Sequence, residues 1–195
     1  MTIQINYKNS DWKKPSTNLV LFVEENFNIS ALKKHISSTE FSYVNELLKN
    51  SDLNKDLLLF EVNSKKTIFL ISIKKNLETS DIEGLGAEFH SYINYEKKND
   101  YFINSDSISS KFENFLGHFL HGLKLKSYEF NIYKSKKDTK KISISIIGNK
   151  KKLTNKNELR FKAIEEGTFF ARDLVSEPPN VLNPKEYVSR LLKLR

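Results

Sequence analysis

The chain contains no cysteine. This excludes disulfide frameworks, thiol catalysis and cysteine-type zinc sites together, and it fits a reducing compartment. Arginine is almost as scarce: of 32 basic residues only Arg160, Arg172, Arg190 and Arg195 are arginine, all toward the end of the chain. There are 6 glycines and 4 prolines, and three of those prolines, Pro178, Pro179 and Pro184, stand near one another in the tail. No apolar run reaches the roughly 18 residues a transmembrane helix needs, and Met1 to Lys14 lacks the apolar core of a signal peptide. A cytoplasmic protein with no membrane partner is expected. HExxH, GxxxxGK[ST] and a Ser/His/Asp order with supporting glycines are all absent from the sequence, which closes the corresponding enzyme classes.

What is present is lysine, asparagine and isoleucine, with a formal net charge of +8 over 195 residues. That length suits one domain plus something extra. A basic surface attracts anionic partners, but lysine, asparagine and isoleucine rising together is the composition an AT-rich genome imposes on any protein. The densest runs, Lys134 to Lys141 (KSKKDTKK) and Lys150 to Lys156 (KKKLTNK), fall where turns are expected. They read as solvated loops, with a nucleic-acid-binding accessory role as the alternative, since base readout favours arginine.

Strands and helices alternate along the chain. Thr2 to Tyr7 has period two, Asn18 to Glu24 (NLVLFVE) suits a strand buried on both faces, and Leu57 to Val62 with Thr67 to Ile73 forms a hairpin-like pair around a polar turn. Tyr101 to Asn104 and Lys141 to Ile147 are further strands. Helical spacing marks Thr39 to Asn50 with Ser38 or Thr39 as cap, Asp81 to Lys98 opened by Ser80 or Asp81, and Ser109 to Lys126. This order predicts an α/β fold with a mixed, mostly parallel sheet covered by helices, over residues 1–150.

Candidate chemistry is thin. His118 and His121 lie three apart on a helix, a spacing two metal ligands can share, but no third ligand is evident and their neighbours Phe115, Leu116, Phe119 and Leu120 are core residues. His35 and His90 have no partner at a recognisable spacing. Gly84 and Gly86 form a G-x-G at the start of the second helix, where bare amides could cradle a phosphate; Phe89 replaces the third glycine of a dinucleotide fingerprint, so close packing is the plainer reading. Glu165 and Glu166 are adjacent on a helix and point in different directions.

The tail is more specific. From about Thr154 a long helix carries Ala163, Ile164, Gly167, Phe170, Ala171, Leu174 and Val175 at three- and four-residue spacing, which predicts one buried face. Pro178 and Pro179 stop it, and a new helical pattern begins at Lys185 after Asn180 and Pro184. The pattern is that of a hinge: a linker helix over 151–177, then the start of something else over 178–195.

Ala163 to Asn180 (AIEEGTFFARDLVSEPPN) followed by Val181, Leu182, Asn183 and Pro184 resembles the interdomain junction of the leucyl aminopeptidases, the cytosol aminopeptidase family, with its A-x-x-E-G-x-x-x-A-R-D-L-V-N-x-P-x-N-x-L-x-P pattern. Gly122, Leu125, Tyr128, Phe130, Tyr133 and Lys134 likewise match that family's E-G-x-x-L-x-x-Y-x-F-x-x-Y-K segment, with His121 in place of its glutamate and Ser176 in place of a commoner asparagine. The resemblance implies a macro-like amino-terminal α/β domain, a linker helix, and in 178–195 the opening of a truncated catalytic domain. Its hinge residues would be Arg172, Asp173, Pro178, Pro179, Asn180 and Pro184. It also implies, for a full-length member, two divalent metals (manganese or zinc), peptide substrates and a homo-hexamer, with the amino-terminal domain shaping assembly or peptide access. The family's metal-binding G-K-G-x-x-F-D-x-G-G and N-T-D-A-E-G-R segments do not occur in this chain. It is therefore expected to carry no catalytic, metal or cofactor residue and to be inactive alone. A macro-like module holding a nucleotide near Gly84 is the alternative.

Overall fold

The computed structural model describes residues 2–7, 17–109, 112–135, 140–148 and 153–194. Six strands form one sheet: β1 (Thr2–Tyr7), β2 (Asn18–Glu24), β3 (Leu57–Asn63), β4 (Lys66–Ile73), β5 (Asp100–Asn104) and β6 (Lys141–Ile147), in the order β1-β6-β5-β2-β4-β3. All neighbours are parallel except the edge strand β3, which turns back antiparallel on β4 through Ser64 and Lys65. The mixed, mostly parallel sheet expected from the alternation is the one observed.

Both faces of the sheet are buried. Val20, Phe22, Phe69 and Ile71 face α2 (Thr79–Tyr95) and α3 (Phe115–Lys126), while the alternate residues Leu19, Leu21, Ile68 and Leu70 face α1 (Ser38–Leu48) and a 3₁₀ turn at Ser30–Lys34. This two-sided burial is why the centres of β2, Leu19 to Val23, and of β4, Ile68 to Ile71, are apolar at consecutive positions instead of at every second one. Phe22 meets Phe115 and Phe119 edge to face, with ring centroids 5.4 and 5.2 Å apart. Each such pair adds about 1 kcal/mol beyond its area.

The helix ends differ from the sequence expectation for local reasons. Ser37, not Ser38 or Thr39, caps α1: its Oγ accepts from the Glu40 amide at 3.2 Å while Glu40 Oε2 accepts from the Ser37 amide at 2.9 Å. Helix α2 starts at Thr79, with Glu78 as cap and Asp81 returning a bond to its amide at 2.8 Å. Helix α3 starts only at Phe115, after Asn114 takes a left-handed φ of 57°, so the stretch from Ser109 is not helical among the described residues. Ser110 and Lys111 lie outside them.

Lys140 closes α2 from across the fold. Its Nζ donates to the carbonyls of Ile93, Asn94 and Glu96 at 2.9, 2.7 and 2.6 Å, placing a cation on the negative end of the helix dipole. One lysine of the Lys134 to Lys141 run is thus a structural cap and not part of a solvated loop. Residues 136–139 and 149–152, which include lysines of both runs, lie outside the described residues.

Candidate functional site

The long tail helix, α4 (Asn155–Ser176), lies against α3 and contains no fully buried residue. Its inward side is Phe161, Glu165, Thr168, Phe169, Arg172 and Asp173. Glu165 pairs with Lys124 at 3.1 Å, and Phe169 meets the Tyr128 ring at 5.2 Å. Arg172 Nη1 donates to the Leu125 carbonyl at 2.6 Å with its guanidinium over the Tyr128 ring, and Tyr128 donates to Asp173 Oδ1 at 2.7 Å. Most of the apolar face read from the spacing points away from the domain: Ile164 is 43% and Val175 86% exposed, and Ala163, Gly167 and Ala171 are exposed too, while Phe170 and Leu174 are half-buried. Helical spacing located that stripe correctly but not the side from which it would be covered. The domain receives the polar-aromatic face because α3 ends in carbonyls and lysines that need charged partners.

After α4 the chain turns at Pro178, whose carbonyl accepts from the amides of Val181 and Leu182 at 2.9 and 3.0 Å. Pro179 and Asn180 are exposed in that turn. Helix α5 (Pro184–Leu192) begins one residue earlier than its pattern suggests, because Asn183 caps it through the Glu186 amide at 3.0 Å and Pro184 takes the first helical position, where no amide hydrogen is needed. Its Tyr187, Val188, Leu191 and Leu192 are exposed. Of the residues expected at a hinge, Arg172 and Asp173 are brought together on Tyr128, Pro178, Pro179 and Asn180 lie in the turn, and Pro184 opens α5.

The two helix histidines converge on a carboxylate that the sequence did not single out. Glu83 Oε1, from α2, accepts from His121 Nδ1 at 3.0 Å and lies 3.4 Å from His118 Nδ1, while the Phe161 ring of α4 sits 4.9 Å from His118 and 5.6 Å from His121. Among the described residues no group of three or more His, Cys, Asp or Glu side chains is placed to hold a metal ion. One carboxylate oxygen already shared by two imidazoles ties α2 to α3. Glu83 lies 35 positions before His118, with no local pattern linking them.

Gly84 and Gly86 lie inside α2, not at its start, so their amides are committed to the helix. Gly86 packs: a Cβ there would lie 2.0 Å from the Phe119 carbonyl oxygen. The crevice where parallel α/β sheets bind ligands, beyond the strand ends where connections diverge, falls here between β2 and β5. It is filled by the protein: Asn104 Nδ2 lies 2.9 Å from His35 Nδ1, Ser105 Oγ donates to the Ile147 carbonyl at 2.9 Å, and Ser107 Oγ accepts from the Phe22 amide at 2.9 Å. With Asn104 and Ser105 fully buried, this plug argues against the nucleotide-holding alternative.

His90 is buried at 5% exposure, and neither ring nitrogen has a hydrogen-bond partner among the described residues. Burial, then the charge of Lys126, hold its pKa below the ordinary histidine value. A depressed folded-state pKa means that the unfolded chain binds the proton first. Stability is therefore complete above the unfolded value of about 6.5 and is lost as pH falls from there through the folded value. His90→Leu is expected to remove that acid-side loss and to add about 1 kcal/mol at neutral pH, read from urea unfolding at pH 7.5 and 5.5. Equal losses on acidification in both proteins would refute this.

The fold and the tail together define a class: a doubly covered α/β domain followed by a long helix, a fold shared with solved leucine aminopeptidases. Across 98% of this chain and 42% of the other, it superposes on a tomato leucine aminopeptidase mutant with TM-score 0.71 at 17% identity. A cytosol aminopeptidase from Coxiella burnetii gives TM-score 0.62 at 13% identity over 97% of this chain and 36% of that one. The bottromycin maturation enzyme BotP in complex with Mn gives 0.64 at 12% over 92% and 36%. No protein-family model matches the sequence. In sequence, a probable cytosol aminopeptidase of Agrobacterium fabrum is 39% identical over 83 residues, 40% of this chain and 17% of that protein, and one of Xanthobacter autotrophicus is 37% identical over 73 residues, 35% and 15%. Over about 40% of its length the chain is thus similar in sequence to cytosol aminopeptidases, and it spans well under half the length of the relatives it matches.

Proposed function

We propose that this chain is the amino-terminal, non-catalytic portion of a leucyl aminopeptidase, a two-metal hydrolase that removes amino-terminal residues from peptides. The observation that carries the reading is a fold likeness over 98% of this chain that accounts for only 42% of the tomato enzyme. In this reading residues 1–150 are the α/β domain, 151–177 the linker helix and 178–195 the opening of a catalytic domain. The outward face of α4 and the apolar residues of α5 await that domain. Manganese or zinc, peptide substrates, hexamer contacts and a cytoplasmic location belong to the complete protein. The side chains described here do not fit a metal centre, so no catalytic step is assigned to them.

The reading makes two demands. Purified residues 1–195 are expected to release no leucine from a chromogenic leucine substrate with manganese present, and measurable release would overturn the non-catalytic assignment. The coding sequence downstream is expected to run into G-K-G-x-x-F-D-x-G-G and N-T-D-A-E-G-R segments, and its failure to do so would remove the aminopeptidase reading itself.

A further inference from the structure

One carboxylate at the end of α4 touches both neighbours of the elbow. Glu177 follows the helix directly, and its side chain is only 3% exposed. Oε1 accepts from Arg190 Nη1 at 3.0 Å, and Oε2 accepts from the Tyr133 hydroxyl. Arg190 lies in the last turn of α5 and is oriented by Glu186 Oε1, one turn earlier, at 3.1 Å. Tyr133 belongs to the strap 127–135 that leaves the end of α3, the same strap whose Tyr128 holds Asp173. No residue of α5 is buried, so apolar packing on the domain does not fix the heading of that helix.

An exposed ion pair adds little to stability, on the order of 0–1 kcal/mol. Glu177 differs because its carboxylate is shielded and both oxygens are engaged, one by a cation. Charge-assisted bonds are the stronger kind, and a covered acceptor that loses a donor is left unsatisfied. The hydrogen bonds onto the Pro178 carbonyl shape the bend, and the Glu177 contacts reach from α5 to the strap.

We propose that Glu177 is a positioning residue that locks the α4–α5 elbow, coupling α5 through Arg190 to the domain body through Tyr133. Its two occupied oxygens hold Tyr187, Val188, Leu191 and Leu192 in one direction relative to the sheet. This inference concerns the 195-residue chain and stands apart from the aminopeptidase reading.

Because the chain lacks cysteine, nitroxide labels can be placed uniquely at Lys162→Cys, on the exposed side of α4, and Lys193→Cys, just beyond α5. Double electron–electron resonance is expected to give one narrow distance distribution. Tyr133→Phe and Glu177→Gln should each broaden it at least twofold, and Tyr133→Phe should add nothing in the Glu177→Gln background, since both act on one carboxylate. Amide hydrogen exchange in β2 and β4 should stay unchanged, showing that the body is intact. An unchanged width in Tyr133→Phe, or equal further broadening in the double variant, would overturn the lock. So would broadening with Arg190→Met but not with Tyr133→Phe, because the elbow would then be held without the domain body.

Discussion

Gly122→Ala is expected to destabilise the protein by about 3 kcal/mol, although the same change in an isolated helix would stabilise it. Gly122 lies inside α3, where alanine is favoured over glycine by about 1 kcal/mol. A Cβ at this position, however, would lie 2.0 Å from the Glu83 carbonyl oxygen and 2.5 Å from the Glu83 Cα. These are backbone atoms of α2, and no rotamer change moves them aside. The two helices would have to separate, loosening the packing that covers one face of the sheet, and overpacking of this kind costs roughly 1–3 kcal/mol or more. Gly86 stands in the reciprocal position, 2.0 Å from the Phe119 carbonyl oxygen, so Gly86→Ala should behave alike. Gly167, on the outer face of α4, has nothing within 4 Å of its Cβ position, and Gly167→Ala should stabilise by up to about 1 kcal/mol. Urea unfolding of the three variants decides the matter through opposite shifts of midpoint at constant slope. A neutral Gly122→Ala would mean that the α2–α3 crossing is looser than the structure has it.

Removing Glu40 should cost nearly as much. Lys66 Nζ meets Glu40 Oε1 at 2.6 Å, with side-chain exposures of 6% and 16%. Taking one member from a buried pair strands the other charge, at about 3–5 kcal/mol; because Glu40 is partly exposed, about 3 kcal/mol is expected for Glu40→Gln. Both carboxylate oxygens are in use, Oε2 on the Ser37 amide, so the residue joins the cap of α1 to the β3–β4 hairpin. Burial raises its pKa, but the bonds from Lys66 and Ser37 outweigh that and hold the carboxyl below the ordinary glutamate value. The stabilisation is thus fully present above the unfolded value, about 4.3, and disappears as pH falls through the lower folded value. Stability profiles of the natural protein and Glu40→Gln should run parallel at neutral pH and converge in acid. Profiles that stay equally far apart to pH 2.5 would show that the ion pair is not the source.

Several elements were legible before the fold was known, because their signals are local. Strand β2 announces burial on both faces through its apolar run from Leu19 to Val23, and the double proline stops α4 by stereochemistry alone. The junction pattern around Arg172 and Asp173 was visible for the same reason, since it is written in consecutive residues. What escaped was long-range: Glu83 beneath His118 and His121, Lys140 on the end of α2, and Tyr133 against Glu177 join positions 35 to 47 residues apart. A helical repeat shows which residues share a face, but not which neighbour that face meets. The spacing of the stripe from Ala163 to Val175 therefore shows one shared face, while its turning mostly away from the α/β domain is a tertiary fact.

The amino-acid order alone pointed to a lysine-rich α/β fold, the stop of α4 before Pro178 and the resemblance to leucyl aminopeptidases, because periodicity, proline geometry and short motifs act over a few residues. Tertiary structure decided that Gly86, with Gly122, marks a helix crossing instead of a phosphate loop at Gly84 and Gly86, that the paired histidines meet a carboxylate, and that α4 turns most of its apolar face away from the domain. Each of these outcomes depends on the approach of chain segments far apart in sequence, and the distances that separate a clash, a hydrogen bond and open space exist only once the sheet has brought them together.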